Sequence, residues 1–172
     1  SPHFPPIAKV RNFGDGHSTR PEVRMSTLIR PLRPEDEPGW RSLWTGYLAF
    51  YDTTVPEAVY ASTFARLLGS DPQDFSCLIA EADGRPVGLA HYLFHRHGWK
   101  IENTCYLQDL YVAPEARGTG LGRMLIEAVY AAADAAGAPS VYWLTQDFNH
   151  TARQLYDRVG KVTPFIRYIR PL

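Results

Sequence analysis

The chain is poor in cysteine, carries no net charge and lacks long apolar runs, and each shortage excludes something. Its two cysteines, Cys77 and Cys105, form no C-x-x-C and sit in apolar, strand-like sequence. They predict buried free thiols in a reducing cytoplasm rather than a disulfide framework. Eighteen basic residues balance eighteen acidic ones, so no global field steers the protein to nucleic acid or to an anionic membrane. No run approaches the ~18 consecutive apolar residues of a membrane span, and the N-terminus lacks a signal-peptide core. The expectation is a soluble cytoplasmic domain; 172 residues suit one core that buries roughly 70% of the unfolded surface.

Residues 1–24 are rich in Pro, Gly, Arg and His and show neither helical nor strand period. They read as an N-terminal extension, vector-derived or an arm that packs on a neighbour, with 25–172 as a single domain.

The most informative stretch is Leu110-Tyr111-Val112, then Ala113-Pro114-Glu115-Ala116, then Arg117-Gly118-Thr119-Gly120-Leu121-Gly122-Arg123. It reads as a strand, a bend and a glycine turn that opens a helix. Alternating glycines let the backbone approach a ligand without a Cβ in the way. First-turn N–H groups have no internal partner and can face an anion, with the helix dipole adding about 0.3–1 kcal/mol. Arg117 and Arg123 bracket the turn, and guanidinium suits phosphate geometry. A pyrophosphate cradle is predicted. It is no P-loop, because Arg123-Met124 follows Gly122 where Lys-Ser/Thr is required. A dinucleotide fingerprint fits poorly too: Arg123 takes the place of the third glycine, and Asp147 only follows the next strand instead of ending it.

The remaining elements follow from period and punctuation. Leu28 to Leu32 predicts a strand, Pro34-Glu35-Asp36 opens a helix to about Tyr51, and a second helix starts near Pro56-Glu57. Ser76 to Asp83 and Pro86 to His95 predict a hairpin about Asp83-Gly84, and Trp99 to Val112 contains the strand that meets the glycine turn. Leu121, Met124, Leu125, Ala128, Val129 and Ala132 form one helical stripe, stopped by Gly137 and Pro139. A strand from Ser140 to Thr145 follows, then a helix N-capped by Asn149 and ended by Gly160, and a last strand from Phe165 to Arg170.

Arg-Gly-Thr-Gly-Leu-Gly resembles the coenzyme-A signature Q/R-x-x-G-x-G/A of the GNAT superfamily of N-acetyltransferases. Arg117 with Gly120 and Gly122 fits it, as does Glu115 with Gly118 and Gly120; the first register begins with the expected arginine. Strand, glycine turn, helix, strand, Asn-capped helix and strand is the order of the C-terminal half of such a domain. Ser140 to Thr145, Asn149-His150-Thr151-Ala152 and Leu155-Tyr156 resemble the fungal branch named histone, polyamine or D-amino-acid acetyltransferases. So do Trp40, Trp44, Tyr47, Phe50 and Tyr51, and the likeness runs from about Leu28 to Tyr168. It implies an α/β fold, with a mixed, mostly antiparallel central sheet flanked by helices on both faces. It further implies direct acetyl transfer from acetyl-CoA to a primary amine in a ternary complex, the acceptor being a free amino acid, a polyamine or a protein lysine. Relatives of this kind associate through their C-terminal strands, so a homodimer or higher homo-oligomer is expected; the apolar, edge-like Phe165 to Ile169 agrees.

An amine of pKa near 10.4 is neutral in only about one molecule in 2,500 at pH 7, a cost near 4.6 kcal/mol. The enzyme must take its proton, hold the oxyanion with a backbone N–H near Leu110 to Val112, and serve the departing thiolate. The resemblance gives the last task to Tyr156 through N-x-x-A-x-x-x-Y, and gives cofactor binding to Leu110, Tyr111, Val112, Arg117, Gly118, Thr119, Gly120, Leu121, Gly122, Arg123 and Asn149. Asn149 also reads simply as a helix cap. The base stays open: Asp109, sharing a strand face with Tyr111, reads equally as a structural partner or a base, and a water chain is the other route. Tyr47 and Tyr51, four apart, read as core or as an acceptor pocket whose rings attract an ammonium. No metal is expected, since His95-x-His97 has no carboxylate or thiol in ligand spacing. A non-catalytic acyl-CoA-binding module is the rival reading.

Overall fold

The computed structural model describes residues 26–172; the extension expected at 1–24 lies outside the described residues. Five strands form one sheet in the order β1 (Thr27–Pro31), β2 (Ser76–Ala82), β3 (Arg85–His95), β4 (Thr104–Val112) and β5 (Val141–Tyr142). The first four pair antiparallel and β4 pairs β5 in parallel. A parallel neighbour requires a long crossover, here α3 (Leu121–Ala135). The expected α/β fold, mixed sheet and flanking helices are all present.

Alternation along the strands divides the core in two. Leu78, Ala80, Ala90 and Leu107 turn to one face and pack with Leu121, Leu125, Ile126 and Val129 of α3. Cys77, Ile79 and Leu89 turn to the other, against Trp40, Leu43 and Trp44 of α1 (Glu37–Phe50) and Phe64 and Leu67 of α2 (Glu57–Leu67). Leu125, Ile126 and Val129 are fully buried, each contributing roughly 1.5–3 kcal/mol of apolar transfer. The Asp83-Gly84 turn is as expected: both residues have positive φ, 49° and 79°, and Ala82 pairs with Arg85 across it. Such a two-residue turn matches strand twist. Arg30 of β1 clamps Asp36, just before α1, through two hydrogen bonds of 2.7 and 2.8 Å, and also bonds Glu81 at 2.7 Å.

Three sequence expectations need correction. The strand from Ser140 to Thr145 shrinks to Val141–Tyr142, because β5 leaves β4 after two paired residues. Phe165 to Arg170 forms no strand: 161–172 is exposed and free of strand pairing, although the outer edge of β5 is open. Asn149 stands at the N-cap position of α4 (His150–Val159) but makes no side-chain cap. Its amide donates instead to Thr145 Oγ1 at 3.3 Å.

Candidate active site

Two features of β4 create an opening in the sheet. In the β3–β4 ladder, His91 faces Asp109 and the next residue, Tyr92, faces Leu107, so Gln108 is a bulge residue with no partner. A bulge re-aims the side chains beyond it. Leu107 and Leu110 consequently share the α3 face, while Asp109 and Tyr111 both turn toward α1. On the other side, β4 and β5 pair only at Cys105–Val141 and Tyr106–Tyr142, where the two tyrosine rings stack 4.8 Å apart. Beyond that point the β4 edge has no strand partner, and the strands part into a wedge.

Leu110, Leu107 and bulged Gln108 line the wedge on one side, Trp143, Leu144 and Tyr156 on the other, with Tyr47 and Tyr51 from the end of α1 closing it. Tyr156 is half-buried on α4, edge-on to Trp143 at 5.5 Å between ring centres. Two contacts fix its helix. The Tyr130 hydroxyl donates to Val159 O at 2.7 Å, and Leu155 lies 3.3 Å from where a Cβ on Gly122 would stand. Burial pushes the Tyr156 phenol up to about 12.

The glycine turn stands past the C-terminal end of β4. Gly118 and Gly120 have φ of 75° and 84°, left-handed values that favour glycine, and a Cβ on either would meet nothing within 4 Å. Gly120 is the N-cap of α3 and no side chain caps that end. Thr119 turns away, donating to Ala116 O at 2.6 Å. The first-turn N–H groups, of Leu121, Gly122 and Arg123, therefore open onto clear space, as an anion site requires. The bracketing arginines already have partners. Arg117 Nε donates to Val112 O at 3.0 Å with its guanidinium over the Tyr111 ring, and Arg123 pairs with Glu127 at 2.7 Å. Tyr111 thus packs against α1 near Gly46, outside the wedge. Of the residues expected to act together, Leu110 and Tyr156 line the wedge, and the glycine turn, Asn149 and the Tyr111 side chain do not.

Asp109 sits behind Tyr47, buried to 6% exposure. Its Oδ2 receives Trp44 Nε1–H at 3.2 Å and lies 2.9 Å from His91 Nδ1, while Trp40 Nε1–H donates to His91 Nε2 at 2.9 Å. Its charge is felt by the Tyr47, Tyr51 and Tyr106 hydroxyls, all pushed up chiefly by burial and further by Asp109, with Arg167 opposing at Tyr106. Sequence reasoning missed His91 and Trp40 as site residues; the one signal was His91's place on the strand neighbouring Asp109. No group of three or more metal-ligating side chains occurs among the described residues.

Comparison with known proteins bears on this geometry. The profile of the acetyltransferase (GNAT) family matches residues 39–160. The chain is 40% identical over 144 residues to D-amino-acid N-acetyltransferase HPA3 of Saccharomyces cerevisiae, covering 83% of this chain and 89% of that protein. It is 37% identical over 94 residues to thialysine N-epsilon-acetyltransferase of Bos taurus, half of this chain and 55% of the relative. Among solved structures, aminoglycoside N-acetyltransferase AAC(6')-Iy in complex with CoA superposes with a TM-score of 0.75 at 19% identity, over 87% of this chain and 97% of that one.

Proposed function

The chain belongs to the acetyltransferase (GNAT) family and is an acetyl-CoA-dependent N-acetyltransferase; from that premise we propose which amine it takes and which residues carry the reaction. The acceptor is the amino group of a free amino acid. The relatives at 40% and 37% identity are named for a D-amino acid and for thialysine, both free amino acids, and the aromatic recess at Tyr47 and Tyr51 is small.

The observation that carries the site assignment is a buried carboxylate, Asp109, whose partners among the described residues are uncharged donors and an imidazole, set beside the wedge that also holds Tyr156. An uncompensated anion among rings favours an ammonium. Acetyl-CoA lies with its phosphates on the N–H groups of α3 and the glycine turn, Gly118 to Arg123, and its pantetheine along the open edge of β4, Leu110 to Val112. Arg117 and Asn149 border that path. An ammonium that becomes an amide nitrogen loses two protons. One passes toward Asp109 Oδ1 and on to solvent as nitrogen attacks the thioester carbonyl. The other ends on sulfur, helped by the Tyr156 hydroxyl as the C–S bond breaks. A phenol near 12 stands about 5 kcal/mol uphill of a thiolate with conjugate pKa near 8.5. Tyr156 therefore hydrogen-bonds the thiolate and releases its proton only in step with departure. Transfer is direct, in a ternary complex.

The assembly is a homodimer or larger. Phe165, Ile166, Tyr168 and Ile169 are 73–87% exposed, and an apolar segment with an unpaired backbone is completed by pairing with a second copy. Two buried free thiols suit a reducing cytoplasm. No helix among the described residues is long and apolar enough to cross a membrane.

The test is a mass-spectrometric screen of amines with acetyl-CoA: D- and L-amino acids, thialysine, polyamines and a lysine peptide. Acetylated free amino acids are expected, with Asp109→Asn losing about 10²-fold in kcat/KM. Acetylation of the polyamines or the peptide alone would refute the acceptor class, and a fully active Asp109→Asn would refute the base.

A further inference from the structure

The wedge has a larger neighbour. A cavity of about 620 Å³ lies between β5, α4 and the C-terminal tail, and Trp143, Leu144 and Tyr156 line it as they line the wedge. A free amino acid needs more than the wedge provides. Its α-carboxyl, ordinarily of pKa near 3.3–3.7, is an anion at neutral pH. The recess that receives its ammonium already has the Asp109 carboxylate beside it, and like charges at close range disfavour each other. Asp109 and the rings alone would suit a plain amine or a diamine better than an amino acid. Selecting the amino acid requires a cation near the recess.

Several cations are already engaged. Arg30 is held by Asp36 and Glu81, Arg41 by Glu37 and Glu57, and Arg123 by Glu127. Arg117 donates to Val112 O and Arg153 to Asp147 O. Arg167 enters no salt bridge among the described residues, not even with Asp157, the one carboxylate lining the larger cavity beside it. Lys161 lines that cavity too. Arg167 is nevertheless the cation whose charge is felt at the Tyr106 hydroxyl, where it opposes that of Asp109. The Tyr106 ring in turn stacks on Tyr142, which lines the cavity with Arg167. The stacked pair therefore joins the carboxylate's surroundings to the guanidinium's.

We propose that Arg167 is a specificity residue of the acceptor site: its guanidinium recognises the α-carboxylate of the amino acid whose amino group Asp109 receives, with the Tyr106–Tyr142 pair as the floor between them. This rests on the free-amino-acid reading above. Arg167 is exposed, so its planar fork is open to a carboxylate, which it matches with two parallel hydrogen bonds. The phosphates of acetyl-CoA are not its ligand. They lie at the glycine turn, past Val112 at the far end of β4 from Tyr106, and a strand puts those two residues about 20 Å apart.

Arg167→Gln removes the charge and keeps a polar side chain. Steady-state kinetics are run on wild type and variant with the fastest amino acid of the panel above and with its carboxamide, which keeps the amine and loses the anion. The wild-type to variant ratio of kcat/KM should be at least about tenfold larger for the acid than for the carboxamide; taking that ratio cancels the carboxamide's own effect on the amine. The loss should fall on KM for the acid, with kcat and KM for acetyl-CoA within about twofold of wild type. Arg167→Lys keeps the charge without the fork and should recover part of the preference. Equal ratios for acid and carboxamide would overturn the assignment of Arg167 while leaving the amino acid as acceptor, whether or not light scattering shows that the variant has lost its assembly. A raised KM for acetyl-CoA would move Arg167 to the cofactor and overturn it as well. Acetylation of polyamines or the lysine peptide alone by wild type would overturn both the acceptor class and Arg167's role.

Discussion

Replacing Gly120 by alanine adds one methyl group, and the structure separates its two consequences. The first is strain: Gly120 has φ of 84°, and a left-handed conformation costs an L-residue roughly 1–2 kcal/mol. There is no collision to add, because the new Cβ would have nothing within 4 Å. Thermal unfolding should therefore fall by only a few degrees. The second appears with the ligand. If the phosphates of acetyl-CoA occupy that clear space, the methyl group displaces them from the α3 N–H groups. A hydrogen bond to a charged group is worth about 1.5–3 kcal/mol, or roughly 10- to 150-fold in affinity. Calorimetric titration should show Kd for acetyl-CoA rising by at least tenfold in a folded variant. Unchanged affinity in a folded Gly120→Ala would reduce the glycine turn to a strand-to-helix connection and move the cofactor elsewhere.

Tyr156→Phe should lower kcat at least about tenfold while melting temperature and acetyl-CoA affinity hold, because no described group bonds that hydroxyl; lost stability with full turnover would make Tyr156 a core residue only. Since the phenol keeps its proton up to about pH 12, wild-type kcat should show no falling limb up to about pH 10.5, and a limb that vanishes in Tyr156→Phe would contradict that. Asp36→Asn should destabilise the fold by about 3 kcal/mol at neutral pH, as breaking a buried pair does. The Arg30 hydrogen bond holds Asp36 below its ordinary value, so this stability is present above the unfolded carboxylate pKa near 3.9 and is lost as pH falls beneath it. Urea titrations of wild type and variant should draw together progressively as pH falls below about 4, and a constant gap would refute the linkage. Light scattering should give at least a dimer, and deleting 164–172 should reduce it; a monomer mass at every concentration would exclude tail-mediated assembly.

The elements most legible in the sequence were those governed by local period. The α3 stripe, the Asp83-Gly84 turn and the glycine turn before α3 depend on residues within a few positions of each other. Even so, Ile126 and Ala133 are core residues outside the stripe that was expected. The face shared by Asp109 and Tyr111 was also readable, because both lie beyond the bulge. The bulge itself was not, since it arises from the β3–β4 ladder, and it is what puts Leu107 and Leu110 on one side. The Trp40–His91–Asp109 chain joins residues 18 to 69 positions apart, and nothing local marks it. Phe165 to Arg170 has strand composition, yet composition does not say which edge a strand would join, and the segment pairs with none. Asn149 has a capping residue's chemistry, but its amide finds Thr145 instead.

The central claim, direct transfer from acetyl-CoA to an amine held between Asp109 and Tyr156, is tested most directly by one mass measurement. Enzyme, isotopically labelled acetyl-CoA and thialysine or a D-amino acid are mixed for a single turnover, and both protein and small molecules are weighed. The account predicts the label on the amine, free CoA in equal amount, and a protein of unchanged mass at every time point. A labelled, covalently acetylated protein that forms before the product, or bound acetyl-CoA with no acetylated amine at all, would contradict it.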